Sequence, residues 1–332
     1  MNAKLIMGVV AAVAMGAMAE ITNTVKVTKF HQSYPYTGKA TVQYTVGGTL
    51  PANAVAEITI NTDDASATFC KDNVITGANT CTINFASSFG GALLLTNASF
   101  VVTIAEDLGG VQLWANGPYW AACNVGASKP EEYGYYFWWG DTVGYTRSGG
   151  TWTDYGWGDG YSGVTWVSST GQQMSSSPFV DSSCPTYGIN DAALQSAGYI
   201  DSTGNLVAAH DAATAHLGSP WRMPTSDEIY ALVRNCTTTW ITTNGVSGRL
   251  VTGKGAYANR SIFLPAAGSG SGSYLYSTGS NGYFWSSTPD SGHSGNAWGL
   301  DFPSSPSGGV NCSNGYDRYG GLSVRPVRGF AQ

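Results

Sequence analysis

All eleven tryptophans of this 332-residue chain lie between Trp114 and Trp298, and the first 113 residues hold none. So uneven a supply of the largest side chain reads as two pieces with different cores. The length allows about two domains at roughly 100–200 residues each. The stretch from Glu20 to Asp107 is rich instead in Thr, Val and Ile. Runs such as Val25 to Thr28, Ala40 to Val46, Ala56 to Ile60, Thr82 to Phe85 and Phe100 to Ile104 are β-type. Several of them alternate apolar with polar residues at period two. Glycine pairs at Gly47-Gly48 and Gly90-Gly91 punctuate them. About seven such strands in under 100 residues predict a β-sandwich. It should occupy residues 20–108, with the boundary near Leu108-Gly109-Gly110.

Composition narrows the compartment and the partners. Only 11% of residues are charged, against ~25% in an ordinary soluble domain. Hydrophobic residues make up 42% and can supply a core. A formal charge of -6 with no basic run excludes nucleic acid and anionic membrane as natural partners. Lys4, the apolar run from Leu5 to Ala14 and the small residues Ala17-Met18-Ala19 have the form of a secretory signal peptide. It should occupy residues 1–19, with cleavage after Ala19. That run falls short of the ~20 apolar residues needed to cross a bilayer, and no cysteine follows it to take a lipid. The mature chain is therefore expected outside the cytoplasm, secreted or at the cell surface, with no membrane insertion after cleavage.

The six cysteines Cys70, Cys81, Cys123, Cys184, Cys236 and Cys312 suit an oxidising compartment. Cys70 and Cys81 flank a turn signal at Thr76-Gly77-Ala78-Asn79 between two β-type runs. A cross-strand disulfide is expected there, contributing on the order of 3 kcal/mol. The other four cysteines allow three pairings, and spacing does not choose among them.

From Val111 onward a series of blocks stands out. They are Trp120-Ala121-Ala122-Cys123-Asn124-Val125-Gly126, Trp139-Gly140-Asp141, Trp221-Arg222-Met223-Pro224-Thr225, Ser261 to Gly268, Tyr283-Phe284-Trp285-Ser286-Ser287-Thr288 and Ser323-Val324-Arg325-Pro326-Val327. In this order they resemble the Fibrobacter succinogenes major paralogous domain family, over most of residues 111–327. Upstream, Tyr34-Pro35-Tyr36-Thr37-Gly38-Lys39 resembles the opening of immunoglobulin-like modules in secreted bacterial proteins. The resemblance implies a C-type-lectin-like fold for residues 109–332. That fold is shared with formylglycine-generating enzymes and with the variable ligand-binding proteins of diversity-generating retroelements. It implies no established activity. Formylglycine-generating enzymes use a closely spaced cysteine pair near the C-terminus, where this chain has Cys312 alone, so their activity is not carried over.

The expected fold class is thus mostly β with a few short helices, an N-terminal β-sandwich followed by an α+β domain. Thr225-Ser226-Asp227-Glu228 is a capping box, and Ile229, Leu232 and Val233 follow on one helical face. A second short helix should run from Asp211 to Leu217, with Gly218 as a left-handed cap. Tyr145 to Ser183 and Gly268 to Gly282 read as long loops, which in compact domains are usually functional.

Catalytic signatures are missing from the sequence. It contains no G-x-S-x-G or H-E-x-x-H motif. Gly248 to Lys254 spells G-x-x-x-x-G-K, but Gly255 stands where a P-loop needs Ser or Thr, and a β-hairpin is the better reading. His210 and His216, six apart, should not share a metal. Asp154 and Asp159 offer oxygens to calcium but fall short of the 6–8 ligands it takes, so no cofactor or metal is expected beyond that weak calcium possibility. The function class expected is a non-catalytic binding or adhesion protein whose partner is a glycan or a surface protein. The alternatives are an exported polysaccharide-active enzyme and a structural surface protein. Ligand contacts are expected from His293, Asn296, Asn311, Asn314, Tyr316, Asp317 and Tyr319, which combine adaptable hydrogen bonding with rigid aromatic area. The resemblance to the retroelement variable proteins points to the same C-terminal region. Leu322, Val324 and Val327 should support it from below, and Arg325 should pair structurally.

Overall fold

The computed structural model describes residues 23–50, 54–63, 66–71, 74–106, 109–154, 159–304 and 309–329. The expected signal peptide, residues 1–19, lies outside them. Among the described residues no helix is long and apolar enough to cross a membrane. The chain divides into two compact units, one ending at Gly109 and the other beginning at Gly110. The fold is mostly β with three short α-helices among the described residues.

The first unit contains β1 (Asn23–His31), β2 (Lys39–Gly48), β3 (Ala54–Asn61), β4 (Ser66–Lys71), β5 (Gly77–Asn84) and β6 (Ser99–Glu106). They form two antiparallel sheets, ordered β1-β2-β5 and β4-β3-β6. Period-two alternation turns Ala40, Val42, Tyr44 and Val46 of β2 inward. They join Ile58 and Ile60 of β3, Ile83 of β5 and Val102 of β6 in one cluster. Each such aliphatic side chain contributes about 1.5–3 kcal/mol by leaving water.

The strands that carry the expected Cys70–Cys81 disulfide are not hydrogen-bonded to each other. Cys70 lies on β4, opposite Glu57, whereas Cys81 lies on β5, opposite Val42. The turn at Gly77 sends the chain into the other sheet, so the two strands never pair. No sulfur–sulfur contact is present among the described residues, and Cys123, Cys184, Cys236 and Cys312 are thiols.

The second unit begins with β7 (Val111–Gln112), β8 (Tyr119–Trp120), β9 (Tyr136–Phe137), β10 (Tyr145–Ser148), β11 (Thr151–Thr153), β12 (Gly160–Ser162) and β13 (Thr165–Ser168). Three helices follow: α1 (Asp191–Ser196), α2 (Ala212–Leu217) and α3 (Ser226–Asn235). The remaining strands are β14 (Cys236–Thr243), β15 (Val246–Gly253), β16 (Ser261–Pro265), β17 (Ser269–Ser271), β18 (Tyr274–Tyr276), β19 (Gly282–Pro289), β20 (Asn296–Phe302), β21 (Asn311–Asp317), β22 (Leu322–Ser323) and β23 (Val327–Arg328).

A seven-stranded sheet ordered β13-β10-β9-β22-β19-β20-β21 divides the core of this unit. Phe284, Leu300 and Phe302 pack with Ile229 and Leu232 of α3 and with Val251 and Ile262 of β15 and β16. Trp285, Ala297 and Leu322 pack with Leu194 of α1 and Ala212 and Ala213 of α2. Strand β8 pairs with β7 and with β23, setting Trp120 opposite Val327. Trp120, Trp221 and Trp285 are buried, as are Leu322, Val324 and Val327 beneath the C-terminal strands.

Both halves of the capping box form on α3, Thr225 accepting from the Glu228 amide and Glu228 from the Thr225 amide. Glu228 also accepts from both terminal guanidinium nitrogens of Arg222, at 2.6 and 2.7 Å. Gly218 ends α2 at φ 75° and ψ 163°, a positive φ but an extended ψ, so it is not the expected left-handed cap. The P-loop-like stretch is the second strand of the β14–β15 hairpin. The two expected long loops are corrected: Tyr145 to Ser183 contains β10 to β13, and Gly268 to Gly282 contains β17 and β18. Strand pairing between these distant segments satisfies backbone groups that a loop would leave to water.

Candidate functional site

The seven expected contact residues fall into two groups along the β20–β21 hairpin. Asn311, Asn314 and Tyr316 converge on Asp301. Asn311 Nδ2 donates to one carboxylate oxygen at 3.0 Å and Asn314 Nδ2 to the other at 2.8 Å. The Tyr316 phenol also bonds Asp301, and burial followed by that carboxylate pushes its pKa well up. Its ring lies against Gly299, where an added Cβ would sit 3.1 Å from Tyr316 Cδ2. Trp285 and Tyr283 meet it edge-on at 6.3 and 5.6 Å. Tyr316 is therefore as much a wall of the core as a surface group.

His293, Asn296, Asp317 and Tyr319 form the second group, where Asn296 pairs with Asp317. His293 Nδ1 stands 3.1 Å from Asp290 Oδ2. The Tyr319 hydroxyl donates to Asp317 Oδ2 at 3.0 Å, and its ring packs edge-on against Tyr187 at 5.0 Å. Burial and the Asp317 contact push the Tyr319 phenol up to about 12. Most polar groups of the hairpin are thus engaged with one another.

A different surface gathers aromatic side chains and a cation around an open cleft. Strands β11, β12, β18 and β17 form a four-stranded antiparallel sheet. Its register aligns Trp152, Tyr161, Leu275 and Gly270 in one row across the strands. Gly160 permits the β12–β18 approach, since a Cβ there would come within 2.2 Å of the Leu275 carbonyl oxygen. Trp152, Tyr161 and Leu275 of this row form one side of an open cleft of about 440 Å³, lined also by Tyr133, Tyr136, Thr146, Arg147 and Thr278. That volume lies within the roughly 300–1,000 Å³ range of small-molecule sites.

Trp152 leaves 49% of its surface exposed and meets Tyr161 edge-on at 5.0 Å. The Arg147 guanidinium lies 3.7 Å above the Tyr161 ring and donates to the Gly149 carbonyl. Among the described residues the lining contains this one cation and no carboxylate. Burial pushes both phenols up: Tyr133, with a further contribution from Tyr161, and Tyr136, which donates to the Ala267 carbonyl at 2.6 Å. Thr278 is buried and its hydroxyl has no hydrogen-bond partner among the described residues.

No family model, no curated protein and no solved structure matches this chain.

Two other sequence candidates are placed by the fold. Asp154 and Asp159 share a hydrogen bond, and desolvation together with the Asp154 charge pushes the Asp159 carboxyl up. Residues 155–158 between them lie outside the described residues, and no group of three metal-binding side chains is found among those described. His216 packs on Tyr135 and Phe137, with Nε2 3.1 Å from the Thr142 carbonyl. His210 stacks on Tyr199, a ring that His216 does not touch, so the two histidines are held apart. The cleft residues Trp152 and Tyr161 were visible in sequence only as aromatics within a supposed loop. The short period-two runs around them are too brief to announce strands.

Proposed function

We propose that this chain is a secreted or cell-surface binding protein, without a catalytic role, that recognises a glycan or a surface protein through its second unit. The observation that carries this reading is the aromatic cleft of the β11-β12-β18-β17 sheet. An exposed indole face beside tyrosine rings supplies apolar area at low entropy cost. Among the described residues the lining offers no pair of carboxylates of the kind glycoside hydrolysis uses. The hairpin group around Asp301 is the second candidate surface, held in reserve because its polar groups already bond each other.

The same proposal takes the first unit as an immunoglobulin-like β-sandwich, supported by one buried cluster drawn from both of its sheets. It takes the second unit as a C-type-lectin-like paralogous domain. Support for this comes from blocks far apart in sequence that meet in space: Trp120 lies opposite Val327, and Arg325 bonds the carbonyls of Ala121 and Ala122.

A glycan array probed with the exported chain, with and without calcium, tests the function. Retained glycans that are lost in Trp152→Ala are the expected result. Retention unaffected by that substitution moves the site to the hairpin. N-terminal sequencing of the exported protein should return Glu20.

A further inference from the structure

Resting on that binding reading, we propose that the cleft takes an acidic saccharide, a uronate unit of a polysaccharide, with its ring against Trp152 and its carboxylate on Arg147. Three observations combine. Trp152 presents a half-exposed indole to the cleft, a flat apolar face that suits the C–H face of a pyranose. Arg147 is held in place rather than waving free, stacked on Tyr161 at 3.7 Å with one nitrogen on the Gly149 carbonyl. Its charge has no carboxylate partner among the described residues, and no acidic side chain lines the cleft.

A lone prepositioned guanidinium offers a planar fork that matches a carboxylate. On a chain of formal charge -6, Arg147 is the cation that the cleft lining offers to an anion among the described residues. A neutral sugar would use the ring and leave the cation idle. A phosphate would use the cation and leave the indole idle. A uronate uses both.

The test uses the full mature chain and three probes followed by tryptophan fluorescence and calorimetry. They are a galacturonate oligomer, the same oligomer with its carboxyls reduced to alcohols, and a glutamate peptide of equal charge. The expected result is that the uronate binds at least tenfold tighter than its reduced form. Its affinity should fall with salt, through screening of the ionic contact. Arg147→Met and Trp152→Ala should each lose at least tenfold, with Arg147→Lys recovering part. Both residues are exposed, so an unchanged melting midpoint serves as the control for folding.

Equal affinity for the reduced oligomer, indifferent to Arg147→Met, overturns the acidic specificity while the glycan reading stands. Glutamate peptide binding as tight as the uronate and insensitive to Trp152→Ala overturns the saccharide. Binding of none of the three overturns this proposal, and the glycan array then decides separately whether the chain binds any glycan.

Discussion

Arg325 Nε donates to Asn124 Oδ1 at 2.8 Å, joining residues 201 positions apart. The same guanidinium reaches the carbonyls of Ala121, Ala122 and Phe263 at 3.0, 2.6 and 2.8 Å. No carboxylate is among these partners. The buried cation is instead solvated by backbone oxygens that would otherwise be orphaned, and burial pushes its pKa down to about 9. Arg325→Met should therefore cost about 3–5 kcal/mol, because several buried acceptors lose their donor at once. Urea unfolding followed by tryptophan emission checks this, since every tryptophan lies in the second unit.

Asp211 caps α2 and accepts from the amides of Thr214 and Met223 at 2.9 and 2.8 Å. Burial nevertheless outweighs those bonds and raises its pKa above the ordinary 3.8. The native state then holds this proton more tightly than the unfolded chain does. Stability from this group rises as pH falls through the raised native value and levels off below 3.8. Wild type should gain stability relative to Asp211→Asn between pH 7 and pH 4, read from urea midpoints at each pH.

Thr278→Val exchanges a buried hydroxyl without a partner among the described residues for a methyl of similar volume. Leaving such a group unsatisfied costs about 1–3 kcal/mol. The substitution should be neutral or raise stability by about 1 kcal/mol, measured as a shift in urea midpoint at constant m-value.

Tyr316 and Tyr319 should separate on truncation. Tyr316→Ala removes a ring packed on Trp285 and over Gly299 and should cost about 2–4 kcal/mol, in the range of large-to-small core changes. Tyr319→Ala, at the hairpin's outer end, should cost under about 1 kcal/mol. A test of the hairpin as a ligand site therefore uses Tyr319→Ala alone, since the double variant confounds binding with folding.

Cys123, Cys184, Cys236 and Cys312 should all titrate as thiols in denaturant without reductant. In the native state Cys184 and Cys236 are buried, and burial raises both their pKa values, Cys236 to about 11. Reaction with a thiolate-specific reagent should be slow at these two until the chain unfolds. Mass spectrometry after native alkylation and a chase in denaturant reads the order.

Local signals in the sequence settled what is local in the structure. The Thr225–Glu228 capping box, the α3 face of Ile229 and Leu232, and the alternation along β2 were legible because each depends on neighbours within a turn or two of chain. Composition was equally plain, and the division by tryptophan coincides with the break at Gly109. Tertiary structure alone decided the rest. Whether β4 pairs with β5 or crosses to the other sheet depends on which sheet buries it, so Cys70 and Cys81 looked like hairpin partners and are not. The seven hairpin residues looked like one surface, but three of them bond Asp301 while Asp290 and Tyr187 hold others at the far end. Leu275 lies more than 100 residues from Trp152 and Tyr161 and joins their row only when β12 hydrogen-bonds β18. No local period can announce a contact that backbone pairing between distant segments creates.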